Sequence, residues 1–219
     1  MISHNVRMSF GLRPAAAALA VAGAVVLAGC SGGAPADPGT SPASATGSAS
    51  PSPSATPTPT PSAVYKPADA SGPAQNVPVP VLPEVAKTET KEGLEAFTKY
   101  WFDHLNYAYQ TGDVSTVQAM TSPDCEYCNN ITTSLTTNYQ PGRWLAGGKL
   151  TVPAATTKFE KTADGNYQVV LQVLQDTIKY YQTGGVEFRQ ATKPSNTGNV
   201  LLVGFAGEGW RVNGLHPLR

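Results

Sequence analysis

Between Ser31 and Ala63 this chain contains only Ala, Gly, Pro, Ser and Thr, apart from Asp37. No side chain in that stretch buries enough surface to offset the entropy of ordering it, so it reads as disordered. Its repeated prolines favour extension. A polyproline-like run of this length reaches roughly 100 Å at about 3.1 Å per residue, and a flexible coil averages nearer to about 30 Å. The Thr-Pro alternation from Thr56 to Pro61 could carry O-linked sugar, although an inert spacer is the simpler reading. Any fold must therefore be built beyond the spacer, where Glu84 to Arg219 leaves about 135 residues, the size of one ordinary domain.

The residues before the spacer read as an address. An apolar run, Pro14–Ala28, follows a basic start that carries Arg7 and Arg13 and no acid, the layout of a secretory signal. The run is shorter than the roughly 20 residues a spanning helix needs. Leu27-Ala28-Gly29-Cys30 closes it and resembles the bacterial lipobox. That resemblance implies removal of residues 1–29 and lipidation of the Cys30 sulfur. The expected location is the cell membrane, lipid-anchored on the extracellular face, with the spacer of residues 30–63 lifting a domain through or into a cell wall. Plain secretion and a retained helix are the alternatives. The whole chain has 15 Lys+Arg, and losing Arg7 and Arg13 leaves 13 against 15 Asp+Glu, a net charge of about −2. No basic patch points to nucleic acid as a partner.

Residues 64–83 differ from the spacer. Val64, Tyr65, Val77, Val79, Val81 and Leu82 bring apolar side chains back, while Pro78, Pro80 and Pro83 exclude helix and central strand. An extended arm along the domain surface is expected. Residues 84–219 read as a globular α+β domain: helices first, then an antiparallel meander curved around a helix, in a cone-like arrangement. Thr90 caps a helix to about Gln110 with Leu94, Phe97, Trp101, Leu105 and Ala108 on one stripe. Gly112-Asp113 ends it, and a shorter helix follows with Val114, Val117 and Met120 inward. Ser122-Pro123 reads as the start of a third helix with Tyr127, Ile131, Leu135 and Tyr139 four apart. Strands are expected over Trp144–Val152, Ala155–Lys161, Tyr167–Tyr181, Val186–Gln190, Asn199–Phe205 and Trp210–Asn213. Asp164-Gly165, Gly184-Gly185 and Ala206–Gly209 supply the turns.

Several segments together resemble a family. They include Tyr65-Lys66-Pro67-Ala68, Gly72-Pro73-Ala74-Gln75-Asn76-Val77-Pro78, Glu92-Gly93-Leu94-Glu95-Ala96-Phe97, Leu105-Asn106-Tyr107-Ala108 and Gly142-Arg143-Trp144. The most specific is Ser122-Pro123-Asp124-Cys125-Glu126-Tyr127-Cys128. The resemblance is to actinobacterial lipoproteins that carry a C-terminal domain of unknown function, and it brings no activity with it. The helix-then-sheet order also resembles the cone-shaped fold of nuclear transport factor two and its cystatin-like relatives, which hosts enzymes, binders and scaffolds alike.

Cys125 and Cys128 are the only thiols beyond Cys30. Outside the cell they are expected to form a structural disulfide. A redox pair is the alternative, because a helix N-terminus favours a thiolate. Zinc would need more ligands than the sequence places nearby, since His104 and His216 could add only two. No metal and no cofactor is expected. Tyr100 and His104 on the first helix, with Asp176 from the sheet, are cavity candidates for acid–base chemistry. Asp103 and His104 are consecutive and point about 100° apart, so they do not form a pair by themselves. The expected function is a cell-surface binding or interaction module in envelope maintenance, with the membrane and an envelope protein or small ligand as partners. The alternatives are a small cone-fold hydrolase or isomerase using Tyr100, His104 and Asp176, and a thiol-disulfide protein.

Overall fold

The first helix begins where Thr90 accepts a hydrogen bond from the Gly93 amide at 3.0 Å, as its capping residue type predicts. It runs over Lys91–Thr111 (α1) and ends on Gly112, whose φ of 79° is left-handed. The computed structural model describes residues 63–207 and 209–218. The signal peptide expected over residues 1–29, the expected lipidation of Cys30 and all of the expected spacer except Ala63 lie outside them. A 3-10 helix, Glu84–Lys87, precedes α1. Two further helices follow, α2 (Ser115–Ala119) and α3 (Glu126–Asn138). Among the described residues no helix is long and apolar enough to cross a membrane.

Seven strands complete the α+β fold: β1 (Arg143–Gly147), β2 (Leu150–Thr156), β3 (Tyr167–Gln175), β4 (Ile178–Gln182), β5 (Val186–Thr192), β6 (Ser195–Ala206) and β7 (Gly209–Pro217). They form two antiparallel sheets, ordered β1-β4-β5 and β2-β3-β6-β7. The stretch Tyr167–Tyr181, which reads as one strand, is divided between them at Asp176-Thr177. The stretch Trp144–Val152 divides opposite it, at Gly147-Gly148. Gly148 N–H donates to the Thr177 carbonyl at 2.9 Å, and Asp176 N–H donates to the Lys149 carbonyl at 3.0 Å. Gly147 has φ 79°, and a Cβ there would collide with the Thr177 carbonyl oxygen. A side chain would therefore both strain the backbone and block the turn. The two long strands bend together at one corner and remain paired on each side of it. Pro153 lies inside β2 rather than ending it. β2 is an edge strand, and its register shifts between Thr151 and Ala154, so the missing N–H interrupts no central ladder.

The third helix starts later than Ser122-Pro123 suggests. Ser122 N–H donates to the Val212 carbonyl at 2.7 Å, and Val212 N–H donates to the Met120 carbonyl at 2.9 Å. The chain is held beside β7 there and covers part of its edge. The helix forms only after it leaves, with Cys125 as the flanking residue. The buried face is Cys128, Thr132, Leu135 and Asn138; of the expected stripe, Leu135 is buried, Ile131 and Tyr139 are half-buried against the core, and Tyr127 is exposed.

The core lies between α1 and the inner face of the larger sheet. Trp101, Leu94, Val169, Leu201, Val203 and Val212 are fully buried. Burying each such side chain contributes about 1.5–3 kcal/mol before ordering entropy is set against it. Trp101 Nε1 donates to Thr121 Oγ1 at 3.0 Å, so the indole fills the interior with its polar atom satisfied. Tyr167 stacks on Phe159 and meets the edge of Trp210, closing the other end of the core with aromatic rings.

Candidate functional site

The segment before α1 is extended, as its prolines require, and it also folds back on itself. Lys66 and Gln75 exchange backbone hydrogen bonds at 3.0 and 2.9 Å, as do Asp69 and Gly72 at 3.1 and 3.2 Å. The Asp69 carboxylate accepts from the Ser71 N–H and hydroxyl, and these bonds hold its pKa below the usual carboxylate value. Asn76, with φ 53°, reverses the chain, and Val77–Pro83 then runs outside α1. Three contacts seat this arm. Trp144 Nε1 donates to the Asp69 carbonyl at 2.8 Å, Tyr65 Oη donates to Gln110 Oε1 at 2.7 Å, and Ala68 packs against Trp144 and Tyr181. Gly185, φ 73°, lets the β4–β5 turn approach the Ala70 carbonyl where a Cβ would collide with it.

Between the arm, α1 and β1 lies a groove of about 580 Å³. Its walls include Tyr65, Val77, Pro80, Tyr107, Leu145 and Lys149. Most polar groups along it are already engaged. Asn106 Nδ2 donates to the Leu150 carbonyl at 2.9 Å and Asn106 Oδ1 accepts from Leu150 N–H at 2.7 Å, pinning β2 to α1. Gln110 holds Tyr65, and Asp103 pairs with Lys99. Lys149 makes no ion pair among the described residues. The groove therefore offers apolar surface, the Tyr107 hydroxyl and one cation.

His104, on α1, is 3% exposed. Its ring meets Tyr100 edge-on at 4.6 Å and Tyr107 at 6.2 Å between centroids. Its Nε2 has no hydrogen-bond partner among the described residues. Burial pushes the His104 pKa below 6.5, outweighing the opposing effects of the Pro80 backbone, Asp103 and Asp113. Burial also raises the pKa of the Tyr100 hydroxyl. Of the three cavity candidates, Tyr100 and His104 come together. Asp176 sits in the exposed corner turn, its amide bonded to Lys149, and no hydrogen bond links it to either ring.

Cys125 and Cys128 form a disulfide, with Cα atoms 5.3 Å apart and both residues buried. A second depression of about 390 Å³ lies beside it, lined by Tyr127 and His216 among others. Among the described residues no group of three or more His, Cys, Asp or Glu side chains could hold a metal.

The groove was not evident from the sequence. A signal for it exists: Asp103, Tyr107 and Gln110 recur on the helix face opposite the core stripe, and an apolar arm precedes the helix. Only the fold shows that the two meet.

No curated protein matches the sequence. Similar solved structures include the intermembrane space region of the chloroplast protein ARC6, 13% identical with a TM-score of 0.41, covering 59% of this chain and 96% of that one. Aln2 from a Streptomyces species is 9% identical with a TM-score of 0.38, covering 58% and 90%. An uncharacterised protein with a cystatin-like fold from Caulobacter vibrioides is 14% identical with a TM-score of 0.38, covering 58% and 91%. The architecture rests on the ladders and helices themselves. Sequence likeness is firmer: residues 63–216 match the family of unknown function DUF6318, and the chain belongs to that family.

Proposed function

We propose that this protein is a binding module of the cell envelope, anchored through Cys30 on the extracellular face of the membrane, which takes a largely apolar ligand with an acidic group into the groove beside α1. The anchor is supported by Leu27-Ala28-Gly29-Cys30 and the spacer behind it. The binding reading is carried by one observation: the groove presents Val77, Tyr107 and Leu145 while Asp103, Asn106 and Gln110 along it are already paired within the protein and Lys149 is not. Its volume falls within the range of small-ligand sites, about 300–1,000 Å³. The acid–base alternative is less well supported, because His104 is enclosed and Asp176 stands apart from it.

The reading is tested with an anionic naphthalene sulfonate dye and the full chain at pH 7.5. Val79→Glu and Lys149→Glu should each weaken dye binding at least tenfold, whereas Val170→Glu on the larger sheet should not. Val79 and Val170 are both solvent-exposed, so neither change should unfold the domain. Equal binding by all four proteins would remove the groove from consideration. A photo-crosslinker at position 79 in intact cells then identifies the natural partner.

A further inference from the structure

We propose that the groove beside α1 is one half of a two-limbed site, and that its ligand is an anionic lipid with two acyl chains whose headgroup sits on Lys149. The inference rests on the groove as the binding site and deepens that reading by naming the class of ligand. A second depression, of about 350 Å³, follows α1 towards its N-terminus, between the helix and β2. Its walls include Phe102, Leu150, Val152 and Ala155. Asp103, Asn106 and Lys149 line both spaces. On the helix, Glu95, Thr98, Phe102, Asn106 and Gln110 recur at three and four, so the lining is one stripe. At about 1.5 Å per residue it extends for about 22 Å.

The second space has a local cause. Ala155 lies opposite Leu171 in the β2–β3 ladder, so the two share the sheet face that packs towards α1. Leu171 is buried, whereas Ala155 is exposed, because a methyl group on this edge strand leaves the gap to the helix unfilled. Asn106 stands where the two spaces meet, its amide clasping both backbone groups of Leu150. A single straight chain would have to pass over this polar junction. A headgroup placed on it sends one chain to each side. The charge at the junction suits an anion, since Asp103 is paired with Lys99 and Lys149 makes no ion pair among the described residues. The walls beyond suit hydrocarbon better than peptide. A peptide brings an N–H and a C=O with every residue, and each needs a partner once buried. Thr98 already donates to the Leu94 carbonyl at 2.8 Å, and Glu95 pairs with Lys91 at 4.0 Å. Strand addition to β2 is obstructed as well: the Asn106 amide occupies Leu150, and Pro153 has no N–H to offer. An acyl chain needs none of these partners and gains from each methylene it takes out of water.

The experiment uses isothermal titration calorimetry at pH 7.5 on the full chain carrying Cys30→Ser, so that no acyl group on the protein itself competes. The probes, kept below their micellar concentrations, are dioctanoyl phosphatidic acid, octanoyl lysophosphatidic acid and dioctanoyl phosphatidylcholine. They supply two chains with an anionic head, one chain with the same head, and two chains with no net charge. The two-chain acid should bind more tightly than either of the others by about tenfold or more, since every methylene of its second chain leaves water and its head meets Lys149. Ala155→Trp fills the smaller space and Ala155→Glu charges it. Each should cut the advantage of two chains over one to under about threefold, with the one-chain affinity unchanged. Position 155 is exposed, so both variants should fold, which circular dichroism checks. Four results would overturn the two-limbed site: equal binding of the one- and two-chain acids, equal binding of phosphatidylcholine, full two-chain affinity in both folded Ala155 variants, or tighter binding of an extended apolar heptapeptide with an acidic end. A dye response to Val79→Glu and Lys149→Glu would survive each of these failures, whereas loss of that response removes the larger groove itself.

Discussion

The larger sheet and the arm are attached to α1 by different means. The sheet offers continuous ladders and a dry face, with Val169, Leu201, Val203 and Val212 sealed against Trp101 and Leu94. The arm offers a short hairpin, isolated polar contacts and the packing of only Ala68 and Leu82 on the cores, and it leaves Val64, Val79 and Val81 largely exposed. Both are ordered, but their reserves differ. Removing one ladder bond leaves the neighbours in place, whereas removing one arm contact takes away a large fraction of what holds the arm. Regions with few buried apolar contacts open at lower free energy than core ladders, and binding elements are drawn from them. The contrast teaches where movement belongs in this molecule.

The comparison breaks most severely at Trp101. Trp101→Ala removes a fully buried indole and its bond to Thr121, so a loss of about 3–5 kcal/mol is expected, as for other large-to-small core changes. Denaturant unfolding followed by circular dichroism measures it. A loss under about 1 kcal/mol would mean that the sheet does not depend on α1 in the way described.

The disulfide comes next. Cys125→Ala with Cys128→Ala opens a very short loop, for which chain entropy gives about 2 kcal/mol. Both sulfurs are buried beside the start of α3, so stability should fall while dye binding in the distant groove is unchanged. Thermal melts with dye titration check both halves. Unchanged stability would favour a redox role for the pair.

How far the sequence reaches can be judged from these residues. The α1 stripe and its Thr90 cap were legible because both are local. The turn at Asp164-Gly165 was legible for the same reason. The sheet corner was not, since β-type alternation continues across Asp176-Thr177 and the reason for the break, Gly147 against the Thr177 carbonyl, comes from another strand. The later start of α3 depends on Val212, far along the chain, holding Ser122. At the candidate site Tyr100 and His104 were found because helix spacing places them together. Asp176 was not a partner because nothing local specifies where a strand end points. The groove requires the arm to pack on α1, a contact that no periodicity encodes.

A smaller change sharpens the contrast from the arm's side. Trp144→Phe keeps an aromatic ring against Tyr181 and Ala68 but removes the donor to the Asp69 carbonyl. A net loss of about 1 kcal/mol is typical of one such bond. It should appear as roughly fivefold greater opening of the arm, read from protease cleavage after Lys66, with little change in the unfolding midpoint of the sheet. An equal effect on both would make arm and sheet one cooperative unit.

The smallest expected effect separates the two regions by pH. Glu89 lies where the arm's connection meets α1, and it accepts from Lys161 at 2.7 Å and from Tyr167 Oη at 3.0 Å, tying that junction to β3. The Lys161 bond, then the Tyr167 bond, holds the Glu89 pKa below its ordinary 4.5. A carboxylate with a depressed folded pKa stabilises above the unfolded value, and its contribution fades as pH falls from 4.5 through the folded value. His104 acts in a different window, because its own depressed value makes stability fall as soon as pH drops below 6.5. The junction is open to solvent, so the Glu89 effect is small and screened by salt. Glu89→Gln should lower the melting temperature slightly at pH 7 and match the native chain once pH lies well below the folded value. Opening of the arm, read from protease cleavage after Lys66, should be unaltered. If Glu89→Gln raised cleavage after Lys66 as much as Trp144→Phe does, the arm would be controlled from its junction, and the contrast between a firmly stitched end and a lightly held wall would fail.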